Sequence, residues 1–232
     1  SIDDFPEKHN KVRKIPDLFK SCLDTYFRVK SFGSNITSSA SITVTQENCK
    51  NIENIFNYMF YDCKIDSIKG ILVRDEGVYK TPEKERKKIF EAYTWLVDKI
   101  TEFTEKGLMK NHNKDSLQGK LHNAKDKISY GLVKKMYLEP HYISPCHAGS
   151  LFGVITASGL VYPCEILDDK LLGDLRKNNM NFKEIWENKE SIEAKKFIKK
   201  SKCNCTYECA LTYNVLGNWR YQPQLIKSVL KS

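Results

Sequence analysis

Apolar residues recur at helix and strand spacings, in alternation, over the first 110 residues. Leu18, Phe19, Cys22, Leu23 and Tyr26 share one face of a helix drawn from Pro16 to Ser31. "ASITVT" (40–45) is short and β-branched, which predicts a strand. From Glu47 to Cys63 the residues Ile52, Ile55, Phe56, Met59, Phe60 and Cys63 make one apolar stripe, the mark of an amphipathic helix. "SIKGILV" (67–73) predicts a second strand. "DEGVYKTPEKER" is then a loop leading into a long helix. Pro82 suits its first turn, and Ile89, Tyr93, Leu96, Val97, Ile100 and Phe103 form its buried face. This order predicts βα units and a parallel sheet. Only two full strands are visible, with the tail of a third at Ser1 and Ile2. So small a parallel sheet covers a core poorly, and the chain reads as though it begins within a domain.

"KNHNKDS" (110–116) predicts a polar joint, and Leu117 to Leu138 a further helix, weakened by Gly119 and Gly131. "EPHYISPC" breaks that helix with two prolines and opens a second module of a hairpin, small helices and cysteines. The expected division is 1–109, a linker helix over 110–140, and 141–232.

Composition changes this picture little. Hydrophobic residues at 41% and charged residues at 29% describe an ordinary globular protein. No apolar run approaches the ~18 residues of a membrane span. "SIDDFPEKHN" lacks the basic and apolar regions of a signal peptide, so a cytoplasmic location is expected. There, clustered cysteines point to a metal site or catalysis more than to disulfides. The net charge of +9 raises the question of nucleic acid. The lysines are spread along helices and alternate with acids, which describes a solvated surface and argues against it. Salt-dependent RNA affinity would be the mark of that reading.

The chemistry lies in the cysteines. Cys22, Cys49 and Cys63 are scattered, and Cys22 and Cys63 fall on apolar helix faces, as small buried hydrophobes do. The other five, Cys146, Cys164, Cys203, Cys205 and Cys209, form a pattern. "LFGVIT" and "LVYPC" flank "ASG", a β-hairpin with Gly159 at its turn. A hairpin returns Cys164 beside Cys146 although 17 residues separate them. C-x-C-x3-C then brings thiols from a loop entering a helix at "TYECALTYNVL". Two such groups can converge on one soft metal centre. Iron–sulfur and zinc both accept four thiolates, and a redox dithiol is a third reading. The C-x2-C knuckle usual for zinc is absent.

These residues resemble a known pattern. C-x12-G-x4-C (Cys146, Gly159, Cys164), "VYPC" (161–164), "LLGDL" (171–175), "FKEIW" (182–186) and "CNCTYEC" (203–209) follow the order and spacing of the SPASM/twitch domain of radical S-adenosylmethionine (SAM) enzymes. "SIDDFPEKHNKVRKIPDLF" is similar to the segment after the fourth strand of their barrel. The resemblance implies an α/β fold: the C-terminal half of a partial (βα)6 TIM-like barrel, then a small cysteine-rich α+β SPASM/twitch domain. The C-x3-C-x2-C motif that binds the catalytic cluster is absent from these residues, which implies a C-terminal part of a longer polypeptide, inactive by itself.

For the complete enzyme the resemblance implies SAM cleavage to a 5′-deoxyadenosyl radical and hydrogen abstraction from a substrate, a small molecule or a peptide. It implies an auxiliary [4Fe–4S] cluster in this part, and SAM with a second [4Fe–4S] cluster bound by the missing N-terminal half-barrel. The electron donor would be a flavodoxin or ferredoxin. Ser1 would lie near the SAM ribose and Arg13 near its carboxylate; the other reading of Arg13 is a surface arginine pairing Asp3 or Asp4. Five thiols favour full ligation with one spare: Cys146, Cys164 and Cys209, with Cys205 ahead of Cys203. His9 reads as a loop cap, and His147, Glu165 and Glu208 as surface residues beside ligands. Tyr207, Tyr213 and Trp219 read as packing. The competing reading is a non-catalytic zinc-ribbon module for binding or assembly, attached to a βα domain.

Overall fold

The computed structural model describes residues 1–33, 38–75, 80–109 and 116–231. The polar joint expected at 110–116 and the middle of the loop before Pro82 lie largely outside them. The chain divides into two compact units, 1–127 with 227–232, and 128–226.

In the first unit, β1 (Ala40–Val44) and β2 (Ile68–Leu72) pair in parallel, with Ala40 opposite Ile68 and Val44 opposite Leu72. Burial alternates along both, so Ala40, Ile42 and Val44 share a buried face with Ile68, Gly70 and Leu72. That is the period-2 pattern of a strand lying on a core. The long helix α4 (Glu83–Glu105) lies against this sheet. It buries Ile89, Ala92, Tyr93, Leu96, Val97, Ile100 and Phe103 at helical spacing, as the sequence predicts. The approach is close at Gly70, where an added Cβ would stand 2.8 Å from Val97 Cγ1. The predicted third-strand tail is placed beside β1: the Ile2 N–H bonds Ser41 O at 3.0 Å.

Three features depart from the sequence pattern. Residues Pro6–Arg13 form a helix, α1, that apolar periodicity does not signal; Pro6 starts it and His9 is its one buried residue. α2 begins at Leu18 rather than Pro16, because Lys14 and Asp17 take left-handed backbone angles between the two helices. The helix expected over 47–63 is broken into a 3₁₀ turn (Cys49–Asn51), α3 (Ile52–Asn57) and a wider π turn (Tyr58–Asp62). The wide turn sets Phe60 and Tyr61 against Phe103, with ring centroids 4.9 and 6.5 Å away. Below it, Asp66 accepts the Tyr26 hydroxyl at 2.7 Å and pairs with Lys30, which pins the approach to β2.

α5 (Leu117–Leu138) matches the predicted helix and contributes residues to both units. In the second unit, β3 (Val154–Ile155), β4 (Leu160–Tyr162) and β5 (Gly173–Asp174) form an antiparallel sheet in that order. Gly159, at φ +90°, makes the predicted hairpin turn, and its N–H bonds Thr156 O at 2.9 Å. α6 (Phe182–Glu187) and α7 (Lys189–Lys200) are capped by Asn181 and Asn188, whose side chains accept the N–H of Glu184 and Ser191. Val161, Leu172, Leu175, Ile185 and Ala194 make a small core, with Trp186 packed on it. α8 (Glu208–Gly217) follows, and α9 (Gln222–Lys231), like α5, contributes residues to both units. Among the described residues, no helix is long and apolar enough to cross a membrane.

Candidate metal centre

The hairpin carries the first two thiols together. Its return strand is followed by Pro163, whose carbonyl accepts the Gly149 N–H at 3.2 Å. Cys164 is thereby packed with Ala148 and Ile198 in a buried cluster against which Cys146, Cys203 and Tyr207 also lie. The third thiol comes from the end of α7. Lys202 turns left-handed there, and the Cys203 N–H bonds back to Ile198 O at 3.2 Å, which fixes the sulfur on this cluster. Cys205 lines the same pocket as Cys146 and Cys203, with Leu132, Leu211 and Asn214 as its further wall.

The sulfurs act on one another. The Cys203 thiol donates to the Cys146 sulfur, which lowers the Cys146 pKa and raises that of Cys203. Burial works against the Cys146 thiolate, while the Ala148 N–H and the Asn214 side chain favour it. Burial raises the Cys164 pKa, and the nearby amides of Ile166 and Leu167 oppose this. The neighbouring thiol and the amide donors favour a negative charge on the Cys146 sulfur. That is an environment for sulfur held as an anion.

Cys209 is placed differently. It is exposed, and the Tyr207 hydroxyl lies between its sulfur and the Glu165 carboxylate, hydrogen-bonded to both. Burial and these two partners raise the Tyr207 pKa. Among the described residues, no group of three or more Cys, His, Asp or Glu stands in an arrangement that holds a metal ion. The thiols are packed as a hydrogen-bonded pair with neighbours, not spread around a common point. Their chemistry nevertheless fits a thiophilic centre: several sulfurs in one half-buried pocket, amide donors near them, and apolar walls.

Sequence reasoning did not single out Asn214 and Asn218. Asn214 Oδ1 accepts the His147 N–H at 2.8 Å, and Asn218 Nδ2 donates to Pro145 O at 3.1 Å. These two amides, both buried and one helical turn apart, clamp the segment that carries Cys146. The available signal was a pair of asparagines at i and i+4, at the end of a largely apolar helix and at its C-cap. His147, expected at the surface, is half-buried, and its Nε2 has no hydrogen-bond partner among the described residues.

In the first unit, Ser1 is exposed, and its carbonyl accepts the Cys22 thiol at 3.7 Å. Arg13 is bound to Asp3, with Nε to Oδ2 at 3.0 Å. Asp3 also accepts the Thr43 N–H, so it ties α1 to β1. Glu165 is exposed, as expected, and Glu208 is half-buried at the start of α8.

Residues 146–210 match the SPASM family, described as an iron–sulfur cluster-binding domain. Solved structures share the fold of the whole chain. Native anSMEcpe with bound AdoMet and Kp18Cys peptide aligns with a TM-score of 0.54 at 16% identity, covering 99% of this chain and 68% of that one. Hexahistidine-tagged anSMEcpe with bound AdoMet gives 0.54 and 16%, covering all of this chain and 65% of that one. Native anSMEcpe with bound AdoMet alone gives 0.53 and 18%, covering 99% and 64%. No curated protein matches the chain. In its cysteine-bearing segment by sequence, and over its whole length by fold, the chain resembles radical SAM enzymes that carry a SPASM domain.

Proposed function

We propose that the chain is the C-terminal part of a radical SAM enzyme and that its second unit holds an auxiliary [4Fe–4S] cluster on thiols drawn from Cys146, Cys164, Cys203, Cys205 and Cys209. The observation that carries this is that Cys146, Cys203 and Cys205 line one pocket, while Cys164 sits in the buried cluster against which Cys146 and Cys203 pack. When bound, such a cluster supplies one-electron chemistry that side chains lack. The chain's own residues hold and shield it. The nearby amides of Ala148, Ile166 and Leu167 would offset negative charge on the sulfurs. Leu132 and Leu211 exclude water. Asn214 and Asn218 fix the backbone on either side of Cys146.

SAM cleavage and substrate modification belong to this proposal for the whole enzyme, since the chain spans 64–68% of the length of the matched chains. The first unit would extend as a partial barrel, with Ser1 and Arg13 on its SAM side. To reach a SAM carboxylate, Arg13 would exchange Asp3 for it, two anions of like geometry. The matched structures hold AdoMet, one of them with a peptide, and we propose the same cofactor and a peptide or small-molecule substrate here, with a flavodoxin or ferredoxin as reductant.

The test is anaerobic reconstitution with iron and sulfide, followed by metal analysis and electron paramagnetic resonance after reduction. Four irons per chain and a brown, reducible species are expected. One zinc and no iron after expression in metal-replete medium would overturn the cluster and favour a zinc-ribbon module.

A further inference from the structure

The cysteines outnumber the positions of one four-thiolate centre, and helix phase separates them. Within residues 203–205 the backbone is neither helix nor strand, and exposed Asn204 stands between two half-buried thiols. Cys203 and Cys205 both line the pocket with Cys146. Cys209 lies beyond the start of α8, where phase is set by the helix. Leu211 and Asn214 are the α8 residues that face the pocket. Two residues of helix at ~100° each leave Cys209 about 160° from Leu211, on the far side. That side is solvent: Tyr213 and Leu216, close to Cys209 in phase, are 42% and 38% exposed.

Cys209 is also engaged elsewhere. The Tyr207 hydroxyl bridges its sulfur to Glu165, the residue after Cys164. Recruiting Cys209 to the pocket would mean unwinding the first turn of α8 and giving up that bridge.

Building on the proposed function, we infer that the centre is ligated by Cys146, Cys164, Cys203 and Cys205. Cys209 stays a free thiol outside it, held by Tyr207 and Glu165. Tyr207 is a positioning residue: it fixes the turn between the ligand loop and α8.

The filled protein, reconstituted anaerobically, is treated with iodoacetamide, then stripped of metal by a chelator, unfolded and treated with N-ethylmaleimide. Mass spectrometry assigns the two labels. The ligand set predicts iodoacetamide on Cys209 and N-ethylmaleimide on Cys146, Cys164, Cys203 and Cys205. Cys209→Ser retains the iron content of the parent, and Cys205→Ser loses most of it. Tyr207→Phe keeps its iron and labels faster at Cys209. A Cys209 protected until metal removal, with Cys203 or Cys205 labelled in the filled protein, overturns the ligand set and leaves the iron–sulfur reading standing. Zinc with the same four protected upholds the ligand set and overturns the cluster. A parent chain that takes up neither metal overturns both.

Discussion

The side-chain oxygen of Asn214 accepts the His147 N–H at 2.8 Å, so one helix residue completes the backbone beside Cys146. Asn214 is 5% exposed, and its amide also favours the Cys146 thiolate. Asn214→Ala leaves a part-buried donor, the His147 N–H, unpaired and should cost about 1–3 kcal/mol in urea unfolding. Asn214→Asp keeps the acceptor but removes the donor and adds charge near sulfur. It should release iron to a chelator faster than the parent does. Equal release from both would mean that Asn214 serves the backbone alone.

Asp3 gives a second comparison. Its Oδ1 accepts the Thr43 N–H at 2.9 Å, and its Oδ2 pairs with Arg13, whose side chain is 41% exposed. Removing Asp3 strands a part-buried amide, so Asp3→Ala should cost about 1–3 kcal/mol. Arg13→Ala removes only a solvent-screened ion pair and should cost less than about 1 kcal/mol. Thermal melts of both variants decide whether the backbone bond or the ion pair carries the weight.

His9 sets a pH dependence. Desolvation lowers its pKa below the ordinary 6.5; Asp3 and Asp4 oppose this, and Arg13 assists it. The folded chain thus binds that proton less readily than the unfolded one. Stability from this group is full above 6.5 and falls as pH drops through the lowered value. Urea midpoints measured from pH 7.5 to 5 should decline. His9→Gln should flatten the decline, and an unchanged slope would remove His9 as its source.

The hairpin turn is a fourth test. At φ +90°, a side chain at position 159 is strained, and an added Cβ would also stand 3.1 Å from Arg176 Cγ. Gly159→Ala should cost about 1–3 kcal/mol and loosen the β3–β4 pairing. Faster hydrogen exchange at the Thr156 and Leu160 amides, which close the turn, is the readout.

What the sequence disclosed follows the length of each pattern. α4 and α5 repeat an apolar spacing over many turns, and β1 and β2 alternate over five residues each, so their identity is legible. α1 is not, because "PEKHNKVR" buries only His9 and owes its place to Pro6 and to contacts around Asp3. β5 has two residues, too few for any period. The π turn at Tyr58–Asp62 answers to Phe103, which is remote in sequence. At the candidate site the hairpin brought Cys164 to Cys146 as "ASG" predicts. The expectation that Cys205 stands ahead of Cys203 rested on spacing alone. Spacing does not carry the backbone state of 203–205 or the phase of α8, and those decide which sulfurs face one another. Asn214 and Asn218 were invisible for a related reason: a clamp needs its partner strand in view.

The bond from the Cys203 N–H to Ile198 O makes α7 a ruler between its asparagine cap and a thiol. Adding one residue inside that helix would swing the sulfur by ~100° and shift it ~1.5 Å along the axis. Evolution and engineering therefore meet a fixed length between Asn188 and Cys203, whereas the surface turn at 168–170 sets no such count.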